Sequence, residues 1–148
     1  MKFLGFIIFS LVALVYIWNG KDNFNKKEWV VFFVKLSFIL VGTFILVFML
    51  IGLREISPSM TKEDGELVLI VIPPSFVTLL LAKFFVIMLC TIFEAIMRFH
   101  QRYNTEQNYS ILSSLANRYS PGLLLLAKCL ASFGCILIFY GIWLASAA

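Results

Sequence analysis

Histidine occurs once, cysteine three times and acidic side chains eight times in 148 residues, and each scarcity removes a class of function. A single imidazole, His100, with no Cys, Asp or Glu clustered beside it, does not make a metal site. Cys90, Cys129 and Cys135 all fall inside apolar runs. The spacing of the last two matches neither a CxxC redox pair nor a zinc pattern, and three thiols cannot staple a small secreted module. The eight glycines are dispersed, so no phosphate-cradling loop exists. Ser10, Ser37, Thr43, Thr78, Thr91 and Ser132 are scattered with no His or paired acid to act as a base. The expectation is a protein with no catalytic set, no metal and no cofactor.

Charge is also thin. Only 14% of residues are charged against 61% hydrophobic, far above the roughly 45–50% apolar usage of soluble domains. This composition describes an all-α polytopic membrane protein. At about 20 residues per crossing, the chain has room for about four transmembrane helices and almost no water-soluble domain. The apolar runs place them near 3–18, 31–53, 75–97 and 123–145 within a single integral membrane domain.

The first run follows Met1-Lys2 as a signal peptide would, but it ends Tyr16-Ile17-Trp18-Asn19-Gly20 with no small-x-small cleavage site. It reads as a retained anchor of about 24 Å. The third run is interrupted by Pro73-Pro74. Proline lacks an amide N–H and disfavours helical angles in the residue before it. The reading is therefore a third span broken there, with Leu67 to Ile72 a separate interfacial or re-entrant piece and Pro74 opening the helix. Residues 98–121 form the longest polar stretch, in which Ile111, Leu112, Leu115 and Tyr119 suggest a short surface helix ended by Pro121-Gly122.

Lys and Arg near the span ends set orientation. Lys21, Lys26, Lys27, Lys35, Arg98, Arg102, Arg118 and Lys128 fall on one side, against Lys2, Arg54 and Lys62 on the other. Eight against three puts the basic loops 19–35 and 98–122 in the cytoplasm and both termini outside, in what reads as a bacterial inner membrane. The positives flank spans instead of forming a continuous basic face, so the lipid bilayer and not nucleic acid is the expected partner.

Four ionisable residues within or beside the spans are the candidate sites, because such groups are costly in hydrocarbon. Lys35 and Lys128 lie where a flexible stem can snorkel to the headgroups. Glu94 stands one turn before Arg98, and at the depth of Lys128, so it pairs with one or the other as a clamp between spans three and four. Lys83 sits about 13 Å along the helix from Pro74, near the midplane. It must snorkel past Pro73-Pro74, lie deprotonated, face a water-filled crevice, or meet a carboxylate from another chain. Packing signals are a small-xxx-small stripe of Ala127, Ala131 and Cys135, with Gly134 and Gly141 on a neighbouring strip.

Four spans, a packing stripe and one unmatched lysine suggest a small non-catalytic accessory or scaffold subunit of a larger inner-membrane assembly, such as a secretion, conjugation or energy-transducing machine. Other membrane-protein subunits would then be its partners. A small oligomeric transporter or channel using Lys83 and Glu94 is the alternative, since broken helices line substrate sites. A membrane immunity or exclusion protein fits the size.

Overall fold

The computed structural model describes residues 2–56 and 62–145. Among them the chain is all-helical, with α1 (Lys2–Trp18), α2 (Lys26–Ile56), α3 (Lys62–Tyr103) and α4 (Glu106–Trp143). Three of these contain segments long and apolar enough to cross a membrane, Lys26–Leu53, Gly65–Tyr103 and Glu106–Trp143; α1 is apolar but shorter. The protein is an integral membrane protein by this measure.

Local chemistry sets the helix starts. At α2, the Asn25 side-chain oxygen accepts the Glu28 amide (3.0 Å), and the Glu28 carboxylate accepts the Asn25 amide (2.8 Å). This reciprocal box satisfies two amides that the first turn cannot pair itself. The link from α3 to α4 is only Asn104 and Thr105, short enough to force an antiparallel hairpin.

Two expectations from the sequence are corrected here. The third span is not broken: α3 runs through Pro73 and Pro74 as one helix of 42 residues, taking in Leu67 to Ile72. Two prolines remove two internal bonds, but within a bundle neighbouring helices and hydroxyl side chains can supply new partners. Just beyond the prolines the Ser75 hydroxyl donates to the Val71 carbonyl (2.7 Å) and accepts from the Trp143 indole N–H (3.0 Å), pinning this turn of α3 to α4. The segment 98–121 is likewise no loop. α3 continues to Tyr103, α4 starts at Glu106 and holds Pro121 inside it, so the short surface helix expected around Ile111 is the first part of α4. Its polar residues are tolerable helix formers, and the apolar spacing simply continues that of α4.

Side-chain contacts give the helix directions. Gly5 faces Trp143, whereas Trp18 donates its indole N–H to Ser132 (3.1 Å), so α1 is antiparallel to α4. Phe9 packs on Phe76 and Lys83 reaches Ile17, so α1 is parallel to α3. α2 lies antiparallel to α3, its Phe32 stacked on Phe84 at 5.5 Å between ring centroids and its Ile39 and Thr43 beside Pro73. The core joins α1, α3 and α4 through Ala13, Ile17, Leu79, Val86, Ala131, Cys135 and Phe139. Among the described residues the backbone of α2 approaches α3 alone. The linker 19–25 and the α3–α4 turn therefore share one end of the bundle, and the start of α1 and the end of α4 share the other.

Candidate functional site

The charged residues converge at the foot of α1. Gly20, at φ 91°, takes a left-handed conformation that other residues adopt at a cost, and it turns the chain so that Asp22 faces α3 and α4. Lys83, in the middle of α3, has a side chain only 4% exposed. Its ammonium donates to the Ile17 carbonyl (3.2 Å) and to Asp22 Oδ1 (3.0 Å). Ile17 belongs to the last turn of α1, where carbonyls have no partner inside the helix and the helix end is partially negative. A cation placed there answers both deficits.

Lys128 of α4 completes the arrangement, with Nζ 2.6 Å from Asp22 Oδ2 and a side chain 11% exposed. One carboxylate thus bridges two ammonium groups and ties three elements together. Burial alone would push the Asp22 carboxyl up, but hydrogen bonds from Lys128 and Lys83, with their charges, outweigh it and hold the group below the ordinary carboxylate value. The triad is therefore an ionised cluster of net charge +1, in which the acid stays deprotonated at neutral pH and makes a poor proton shuttle.

Glu94 stands apart from Lys128. Asn23 donates its side-chain amide to Glu94 Oε1, and Arg98 lies 3.9 Å from Glu94 Oε2. The pair on one helix face forms as its spacing suggested, but it is loose, with the Arg98 and Glu94 side chains 70% and 46% exposed. Lys35 lies over the Tyr16 ring at 5.9 Å from its centroid, linking α2 to α1 by a cation–π contact. Ala127, Ala131 and Cys135 are buried, whereas a Cβ on Gly134 or Gly141 would meet nothing within 4 Å. Those two glycines thus mark no close helix approach among the described residues, and the tight packing stripe is the alanine and cysteine one. No three His, Cys, Asp or Glu side chains among the described residues converge on a metal-sized site.

Compared with protein-family models, curated proteins and solved structures, the chain matches none. Its chemistry is carried by its own geometry.

Asp22 is the residue that reading the sequence missed. It stands in a polar linker among Lys, Asn and Gly, where solvent is the default neighbour. The available signal was a charge deficit: Lys83 and Lys128 both lie in apolar helices, and the linker preceding α2 is short enough to carry an acid to them. Consequently the carboxylate on Lys83 comes from the same chain, and no other subunit is needed to supply it.

Proposed function

We propose that the protein is a non-catalytic accessory or scaffold subunit of a larger assembly in a bacterial inner membrane. The observation that supports this reading is the length of the α3–α4 hairpin. α3 has 42 residues and α4 has 38, about 63 and 57 Å of helix, against about 30 Å of hydrocarbon. The excess projects at the end where α1 and α2 are joined. Its tip carries Arg98, Arg102 and Arg118 beside the exposed aromatics Phe99, Tyr103 and Tyr119. Arg and Tyr are among the side chains enriched at protein interfaces. A charge clamp at the base and a two-residue turn at the tip make the hairpin a stiff display surface.

In this reading α1 crosses the bilayer with the three longer helices, giving four spans. The basic segments 19–35 and 98–122 face the cytoplasm and both termini lie outside. The packing supports their common sidedness, since the linker 19–25 and the hairpin tip sit at the same end of the bundle, while Lys and Arg excess selects which side that is.

The test is photocrosslinking in intact cells from an ultraviolet-activated residue at Tyr103 or Tyr119, with Phe48 of α2 as a lipid-facing control. The proposal expects a discrete protein adduct from the tip positions. Adducts from none of them, or equally from all three, would count against a docking hairpin. A transporter remains the second reading, because the triad opens beside a cavity of about 440 Å³ lined in part by Asp22 and Glu94. Flux that survives in purified, reconstituted protein and falls on Lys83→Met without loss of folding would favour it.

A further inference from the structure

The cavity of about 440 Å³ has three walls: α3 from Leu89 to Ile96, α4 from Ser120 to Leu130, and the linker at Asp22 and Asn23. Along α4 it runs about 15 Å. The walls divide by chemistry. Leu89, Phe93, Leu123, Leu126 and Leu130 give an apolar trough, and Asp22, Asn23, Glu94 and Ser120 give a polar rim. The linker that supplies this rim also carries Lys21, and α2 opens with Lys26 and Lys27, cations that mark the headgroup level.

We propose that this trough holds one membrane phospholipid with an ethanolamine headgroup. Charge complementarity selects the occupant. Asp22 is saturated by Lys83 and Lys128, but Glu94 is half-exposed: Asn23 donates to its Oε1, and the 3.9 Å approach of Arg98 to its Oε2 is too long for a hydrogen bond. A headgroup ammonium donates to the free side of the Glu94 carboxylate, and its phosphate meets the exposed Arg98 guanidinium one helical turn away, on the same face. An acyl chain then lies between Leu89, Leu123 and Leu126, where helix surface would otherwise line an open groove. A purely anionic headgroup would satisfy Arg98 and be repelled by Glu94. A trimethylated ammonium carries the charge without the N–H donors. The site thus separates three common headgroups by chemistry and not by size.

The test uses the full chain reconstituted in vesicles containing equal parts phosphatidylethanolamine, phosphatidylcholine and phosphatidylglycerol, then released in mild detergent for native mass measurement of retained lipid. Loss of hydrogen bonds to a charged group predicts about tenfold preference for the ethanolamine lipid over the choline lipid. Glu94→Gln should abolish that preference. Leu123→Trp, which fills the trough away from the triad, should remove bound lipid of every kind while the far-ultraviolet dichroism stays unchanged. Equal retention of the three lipids, or a preference that persists in Glu94→Gln, overturns the proposal. So does stoichiometric copurification of a protein from native membranes that the Leu123→Trp change releases with no lipid retained by either form. This outcome is separate from the crosslinking at the hairpin tip, which reads protein adducts in intact cells and not lipid retained in detergent.

Discussion

Replacing Asp22 by Asn removes one negative charge and leaves two ammonium groups facing each other with side chains 4% and 11% exposed. Breaking a buried ion pair by removing one partner costs about 3–5 kcal/mol, because the remaining charge is stranded. Here two are stranded and repel. Lys83→Met or Lys128→Met behaves differently. Each leaves a neutral pair with Asp22, and the loss is confined to charged hydrogen bonds, about 1.5–3 kcal/mol. The net charge of the cluster therefore orders the variants: +1 in the native chain, 0 after loss of either lysine, +2 after loss of the acid. Combining Asp22→Asn with Lys83→Met and Lys128→Met should recover most of the stability, since replacing a whole buried ionic cluster is often nearly neutral. Reversible unfolding in mixed micelles, followed by tryptophan fluorescence, measures it directly, because Trp18 is hydrogen-bonded to Ser132 one turn from Lys128. For Asp22→Asn the folded-to-unfolded ratio should fall roughly a hundredfold or more. An Asp22→Asn protein within about 1 kcal/mol of native, or one more stable than Lys83→Met, would refute the bridging role of the carboxylate.

Because the folded state holds the Asp22 carboxyl below its ordinary value, its contribution is fully present above the unfolded carboxylate value of about 3.9 and is lost as pH falls through the lower folded value. Unfolding free energy should therefore show an acid-side loss below about pH 4 that is absent from the variant with all three charges removed. Gly5 lies against the Trp143 indole so closely that an added Cβ would overlap the ring; Gly5→Ala should cost about 1–3 kcal/mol by overpacking, and Trp143→Phe in the same chain should relieve part of it, as read by thermal unfolding. In a background without Cys90, Cys129 and Cys135, a cysteine replacing Asn104 should resist an impermeant thiol reagent in intact cells and react after permeabilisation; labelling of intact cells would invert the orientation.

Composition made the helical membrane class legible, and the long apolar runs located the cores of α2, α3 and α4. Helix ends were less legible because local rules meet tertiary compensation. Pro73 and Pro74 carry a strong breaking signal, but the Trp143 indole that donates to Ser75 just beyond them lies in α4, outside any window of neighbouring residues. Polar residues 98–121 show a short surface helix in sequence but not its continuity, because polarity marks no helix end: α3 runs to Tyr103 and α4 starts at Glu106 through polar residues. The lysines of the site were visible as anomalies in apolar helices. Their partner was hidden because an acid in a polar linker is ordinary until Gly20 turns it inward.

The pairing of α1 with α3 and α4, while α2 among the described residues docks on α3 alone, has a consequence for biogenesis. The helix made first finds one of its two partners last. Until Lys128 and Ser132 have been synthesised, Asp22 Oδ2 and the Trp18 indole lack the groups that satisfy them in the finished bundle, although Lys83 already reaches Ile17 and Asp22 Oδ1. Helix α2 intervenes in sequence without packing its backbone on α1, and Lys35 over Tyr16 is a side-chain contact between them. Insertion can thus proceed helix by helix, but closure is a late event that waits for the C-terminal half. A nascent chain arrested before residue 128 should expose one oxygen of Asp22 and the α4-facing side of the first helix to the insertion and quality-control machinery, so the same charge cluster that locks the mature fold also reports whether the chain has been finished.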